Sequence, residues 1–320
     1  MRMGYFLSCE EYSPAELVEQ ARLAEEAGFQ ALWVSDHYHP WVDAQGESPF
    51  VWSVIGALSQ ACRLPVTTAV TCPTIRIHPA VVAQAAATSA VMLEGRFVLG
   101  VGSGEALNEH VLGGRWPGAD ERLEMLEEAV DVMRQLWAGD FVSHRGRHYT
   151  VEQARVYTRP ESPPPVYVSG FGPKAIDLAA RIGDGYINTQ PDADMVRQFR
   201  EGGGADKPAA AGFKACYAPT EEEAVRIAYQ LWPNACPVSC PRCCRPRATS
   251  SRPARWSPRS RWVARSPAAR TRSGSSRASS STVRRASTSS TWPTWVRTTA
   301  SSSTCIAGRS FPSWEASLLR

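Results

Sequence analysis

Short apolar runs alternate with longer amphipathic stretches over the first two thirds of the chain, the pattern that builds successive βα units around a parallel sheet. Residues 3–8 read as a first strand. Residues 14–27 follow as a helix with Leu17, Ala21, Leu23 and Ala24 on one face, opened by Pro14 and stopped by Gly28. Further strands are predicted at 31–35, 66–71, 96–101, 166–169, 185–189 and 212–217, with helical patterns between them that include 80–92, 121–137 and 221–232. Seven such units without a reversal favour an α/β fold of the (β/α)₈ TIM-barrel type over an open sheet. No eighth strand is apparent.

Where it should come, the composition breaks. Ser supplies 21 of the 85 residues from Cys236 onward, and Arg, Pro, Thr and Trp make up most of the rest. Serine/arginine-rich disorder is the conventional reading of such a segment. Trp256, Trp262, Trp292, Trp295 and Trp314 fit it poorly, because disordered chains are poor in aromatics. A change of reading frame near Asn234–Cys236 accounts for the mixture better. Shifting the codons turns most serines and tryptophans into aliphatic or aromatic residues, and one permitted reading of residues 286–314 then contains an apolar strand, a turn and an amphipathic helix. The expected division is therefore an incomplete barrel over 1–235 and an aberrant, disordered Arg/Ser/Pro-rich tail over 236–320.

Charge divides at the same place. Up to Ala235 there are 19 Lys and Arg against 30 Asp and Glu, a net of 19 − 30 = −11; beyond it 16 Arg face the single acid Glu315, a net of 16 − 1 = +15. A basic tail invites a nucleic-acid reading, but no recognisable fold presents it. Likewise Cys236, Cys240, Cys243 and Cys244 crowd together without a second ligand pair at zinc-site spacing. Cys9, Cys62, Cys72 and Cys216 lie among apolar neighbours and read as reduced core residues. With no secretory signal and no apolar stretch near the roughly 18 residues of a membrane span, the expectation is a cytoplasmic protein with no membrane or nucleic-acid partner.

Barrel chemistry sits at the C-terminal ends of the strands. Four polar sets fall there: Ser35-Asp36-His37-Tyr38-His39-Pro40-Trp41, Gly102-Ser103-Gly104-Glu105, Ser169-Gly170-Phe171-Gly172, and Asn188-Thr189, with Glu10 just past the first strand. A lone histidine at a strand end is more often a hydrogen-bonded structural residue than a base. Convergence on one rim changes that balance, because hydride removal from an alcohol needs a base for the hydroxyl proton, a flat cofactor slot and an acid.

The stretches SDHYHPW, TAVTCPTIRIHPAVVAQ, LGVGSGEALNE, VYVSGFGP and GDGYINT resemble those of the luciferase-like oxidoreductases that depend on coenzyme F420, including members that oxidise sugar phosphates. The resemblance covers about 3–232. It implies a hydride transfer between an alcohol-type, sugar-like substrate and the deazaflavin, with His37 as the base, Trp41 steadying the developing charge, Glu105 as the acid and Glu10 assisting at the substrate. It further implies cofactor contacts from Asp36, Ala69, Val70, Gly102, Ser103, Gly170, Gly172 and Thr189, a non-prolyl cis peptide at Ala69–Val70, and a homodimer once the barrel is complete. One departure stands out: Asp192 replaces the lysine that grips phosphate in the sugar-phosphate enzymes, and an acid there repels a phosphate dianion. Three alternatives remain open at this point. These are an FMN-dependent monooxygenase of the same superfamily, a metal-dependent barrel hydrolase using His37-x-His39, and an inactive product of the frame change.

Overall fold

The computed structural model describes residues 1–233 and, beyond them, the backbone strands Val263–Arg265 and Pro293–Thr299. In chain order the main elements are β1 (Arg2–Leu7), α1 (Pro14–Glu26), β2 (Leu32–Val34), α2 (Val51–Ala61), β3 (Val66–Thr68), α3 (Pro79–Met92) and β4 (Phe97–Val101). There follow α4 (Ala106–Glu109), α5 (Ala119–Ala138), β5 (Val142–Arg145), β6 (Thr150–Ala154), β7 (Val166–Ser169) and α6 (Pro173–Ile182). The last are β8 (Gly185–Asn188), α7 (Ala193–Phe199), β9 (Ala209–Tyr217), α8 (Glu221–Leu231), β10 (Val263–Arg265) and β11 (Pro293–Thr299).

Local sequence accounts for most of these boundaries. Ser13 caps α1 in a reciprocal pair with Glu16, Pro14 occupies the first turn, and Gly28 takes φ 84° just past the end. Gly139, at φ 97°, plays the same stopping role after α5. Strand residues Leu32, Val34, Val66, Leu99, Val101, Val166 and Val168 are fully buried, as expected where helices cover the outside of a parallel sheet. Two strands depart from expectation. β3 ends at Thr68 instead of residue 71: the Ala69–Val70 peptide is cis, and Thr71 rejoins β4 through a lone bridge to Val101. β9 begins three residues before the predicted 212, with Ala209, Ala210 and Ala211, whose weak strand propensity is overridden by pairing with Tyr186, Ile187 and Asn188.

The parallel pairs run β1–β2–β3–β4–β7–β8–β9, and β9 then pairs with β11, which pairs with β1. The place after β9, where the chain as given shows no eighth strand by its pattern, is taken by a backbone strand. Pro293–Thr299 stands in that position, with Val296 opposite Phe213 on one side and Tyr5 on the other. The physical reason is twofold. PTWVRTT is rich in strand-forming residues with Pro at its first position, where a strand tolerates it, and the edges of β1 and β9 each offer unpaired backbone groups that a closing strand satisfies. The proposed change of frame and the cysteine cluster from Cys236 to Cys244 lie outside the described residues.

The hairpin β5–β6, which the sequence reading passed over, lies outside the barrel sheet. It is tied to α5 by Glu128, which accepts from the backbone N–H groups of His148 and Tyr149 and lies 3.0 Å from His144 Nε2. No helix among the described residues is long and apolar enough to cross a membrane.

Candidate active site

Each of the rim sets follows a strand of the same parallel barrel, so all of them open at its C-terminal end. Glu10, after β1, is buried there at 1% exposure. Its Oε2 accepts from Ser8 Oγ at 2.9 Å and Ser35 Oγ at 2.6 Å. Those donors hold the carboxylate so that Oε1 lies 3.5 Å from His37 Nδ1. On the other side of the imidazole, His37 Nε2 lies 3.6 Å from Oε1 of Glu105, a partly exposed residue at the N-cap position of α4. Trp41 places its ring edge-on to His37, with centroids 5.1 Å apart. The four residues expected to carry chemistry therefore meet at one histidine.

His39 turns away from this group. Its Nδ1 lies 3.1 Å from the Leu107 carbonyl, and its ring stacks on His110 at 5.6 Å. The His-x-His spacing thus does not bring two imidazoles to one point, and no metal-binding group of three His, Cys, Asp or Glu residues occurs among the described residues.

Asp36 reaches the rim but both carboxylate oxygens are engaged: Oδ2 accepts from Thr71 Oγ1 at 2.7 Å, and Oδ1 from Arg76 Nη2 at 2.8 Å. The remaining expected cofactor residues follow β3, β4, β7 and β8. Gly102 lies so close to Val70 that a Cβ there would meet Val70 Cγ2 at 2.8 Å, and at Gly100 a Cβ would strike the Thr68 carbonyl oxygen at 1.9 Å. Gly170 is closed in by the Ala175 backbone, and its carbonyl accepts from Tyr186 Oη at 2.6 Å; burial pushes that phenol's pKa up, so it stays a donor. Gly172, the N-cap of α6, faces open space, as does the exposed Thr189 after β8. Ser103 lies half-buried between Gly102 and Gly104, which takes φ 80°.

Two residues central to this geometry escaped the sequence reading. Asn108, 2% exposed, accepts from the backbone N–H groups of Tyr38 and His39 at 2.8 and 2.9 Å and donates to Glu105 Oε1 at 2.6 Å. Its position three residues after Glu105 on a helix was the available signal. Arg76 sits beneath the rim between Asp36 and Glu109, and nothing in its local pattern marks it. Burial pushes the Glu109 carboxyl up in pKa, against the pull of the Arg76 backbone N–H and guanidinium. Cys72, buried beside them, is pushed well up by burial and then by the charge of Glu105, which makes it an unreactive thiol. Asp192 turns its carboxylate inward to cap α7, accepting from the N–H groups of Asp194 and Met195.

The family model described as luciferase-like monooxygenase matches residues 1–308. Among curated proteins, the F420-dependent glucose-6-phosphate dehydrogenase of Microbacterium testaceum (strain StLB037) is 46% identical over 190 residues, 59% of this chain and 56% of that protein. The protein of the same name from Amycolatopsis mediterranei (strain U-32) is 44% identical over 191 residues, 59% of this chain and 57% of that protein. The chain therefore spans just over half the length of these relatives. Among solved structures, an F420-dependent secondary alcohol dehydrogenase in complex with an F420–acetone adduct aligns with TM-score 0.69 and 36% identity, covering 73% of this chain and 76% of that one. The chain belongs to the luciferase-like monooxygenase family.

Proposed function

We propose that this chain is an F420-dependent oxidoreductase that moves a hydride between the carbinol carbon of an alcohol-type substrate and the deazaflavin. The carrying observation is His37 flanked by two carboxylates, Glu10 3.5 Å from Nδ1 and Glu105 3.6 Å from Nε2. Similarity to the F420-dependent glucose-6-phosphate and secondary alcohol dehydrogenases supports the same reading. Ala69, Val70 and Gly102 would line the cofactor's face, with Gly102 packed so closely on Val70 that a side chain there would displace it. Gly172 leaves the first N–H groups of α6 open toward an anionic tail, with Gly170, Ser103 and Thr189 beside the same mouth. Asp36, its carboxylate fully engaged, would contribute by shaping that lining. When bound, the coenzyme supplies the hydride-accepting centre.

The protein's own part is proton handling. Glu10, fixed by two serine hydroxyls, favours the His37 tautomer with the proton on Nδ1 and leaves the Nε2 lone pair to take the substrate's hydroxyl proton. The Trp41 ring flanks the imidazole as it gains charge, and Glu105, partly exposed and held by Asn108, is placed to exchange a proton with solvent. Asp192 stands in place of the lysine that grips phosphate in the sugar-phosphate enzymes, so a neutral alcohol is the substrate class proposed. We further infer a cytoplasmic homodimer acting on small molecules. Four buried free cysteines support the compartment, and exposed Val81, Val91 and Met92 along α3 support the dimer.

Fluorescence titration with F420, followed by loss of its oxidised absorbance on adding secondary alcohols or glucose 6-phosphate, tests the proposal. Binding with turnover of a neutral alcohol is the expected result. Tight binding of FMN or NADP with none of F420 would overturn it.

A further inference from the structure

One buried side chain joins the loop after β3 to the supports of the loops after β2 and β4 that bring His37 and Glu105 together. Arg76 belongs to the loop after β3, which begins with Ala69 and Val70. Its side chain is only 8% exposed. Nη2 donates at 2.8 Å to Oδ1 of Asp36, the residue immediately before His37. Nε lies 3.6 Å from Oε1 of Glu109, and the Arg76 backbone N–H donates at 2.7 Å to the other oxygen of the same carboxylate. Glu109 is the last residue of the short helix α4 that Glu105 caps and that carries Asn108. Both acids are buried, with side-chain exposures of 1% for Asp36 and 0% for Glu109.

We propose that Arg76 is a positioning residue for the hydride transfer: by bridging Asp36 and Glu109 it sets the separation of His37 from Glu105 without touching substrate or cofactor. This rests on the function proposed above. The physical argument is one of geometry. The planar guanidinium aims Nη2 at Asp36 in a fixed direction and keeps its charge 3.6 Å from Glu109, whose other oxygen the Arg76 backbone N–H holds, a combination that an ammonium on a flexible stem does not reproduce. Each carboxylate stands next to, or one helical turn from, a residue facing the His37 ring. A displacement at Arg76 therefore passes directly to the base on one side and to the acid on the other. Asn108 ties the same two loops together nearer the mouth, at Tyr38, His39 and Glu105. Arg76 holds them at their base, and the pair forms a two-point clamp. A buried charge triad kept only for stability would not need to join these particular elements, since such triads are weak evidence for stability.

The test compares the full chain with Arg76→Lys and Arg76→Met. Four readouts are taken: F420 dissociation constant, turnover, melting temperature, and the imidazole resonances of His37, His78 and His144 in the cofactor-free protein. Arg76→Lys is expected to hold the melting temperature and to keep the dissociation constant within about threefold. Turnover should fall about 10–100-fold, the usual result of misplacing reacting groups by a fraction of an ångström to one ångström. The His37 resonances should move while those of His78 and His144 stay. Arg76→Met, which leaves two buried carboxylates without their cation, should lower turnover further and also lower the melting temperature. Turnover equal to wild type in Arg76→Lys would overturn the proposal. So would a joint collapse of binding, turnover and melting temperature with all three histidines shifting, since that is general loss of structure. If the wild-type chain neither binds F420 nor turns over an alcohol, the functional reading fails on its own. The His37 resonances then decide the positioning claim, and unmoved signals in both variants overturn it.

Discussion

His37 Nε2 stands 3.6 Å from Glu105 Oε1, although the two residues come from loops after different strands, β2 and β4. This is slightly longer than a hydrogen bond, and such contacts at a reacting group often tighten only in the complex with substrate. His37→Ala should therefore leave F420 affinity nearly unchanged and lower turnover by roughly 10²–10⁴-fold, the ordinary contribution of a positioned base. The melting temperature should hardly move, because the ring lies at the rim and not in the core. Wild-type turnover in this variant would show that the proton leaves by another route.

Asn108 joins that loop to that helix. Asn108→Ala strips the acceptor from the Tyr38 and His39 backbone N–H groups and should cost about 1–3 kcal/mol in denaturant unfolding, the usual penalty for orphaned buried donors. Asn108→Asp keeps the acceptor but sets a second carboxylate against Glu105. The shared pair then titrates above the ordinary carboxylate range. A group raised in the folded state contributes stability at low pH and loses it as pH rises through the folded value, so Asn108→Asp should approach wild-type stability in acid and fall below it near neutrality. A pH-independent deficit would refute the assigned orientation of the amide.

Glu128 gives the opposite sign. Against the upward push of burial, the hydrogen bonds from His144 and from the Tyr149 and His148 backbone N–H groups hold its pKa below the ordinary 4.5. A depressed carboxylate contributes stability above its unfolded value and loses it as pH falls through the folded one. Glu128→Gln should therefore destabilise by about 1–2 kcal/mol at pH 7, with the difference from wild type vanishing toward about pH 3. An undiminished difference in acid would mean that the charge is not what holds the β5–β6 hairpin.

Val296 lies mid-strand in β11, between Tyr5 of β1 and Phe213 of β9. Val296→Pro removes a backbone N–H from an interior strand and should cost about 3 kcal/mol or more, with reduced soluble yield as the two flanking edges open. Thermal melting and solubility read this out. An unchanged melt would place residues 293–299 outside the barrel.

The sequence by itself determined the repeating βα order, because a strand–helix alternation and its caps are written in periods of two and 3.6 residues and in Ser13, Pro14, Gly28 and Gly139. It also placed Glu10, His37, Trp41 and Glu105 at one rim, since strand ends in a parallel barrel share a face wherever they fall along the chain. The abrupt loss of that alternation after residue 235 was legible too, and a shifted frame places an eighth strand within 286–314, but the pairing of the chain as given was not legible. Pro293–Thr299 reads as an isolated short run until the edges of β1 and β9 stand beside it. Whether two strands far apart in sequence pair is a matter of unsatisfied backbone groups in space, which no local period reports. The same holds within the site. That both Asp36 oxygens are consumed by Thr71 and Arg76, that Asn108 spans two loops, and that Asp192 caps its own helix are outcomes of side-chain direction. Only the folded barrel, by bringing these loops within a few ångströms of one another, decided which polar groups remain for chemistry and which are spent on holding them in place.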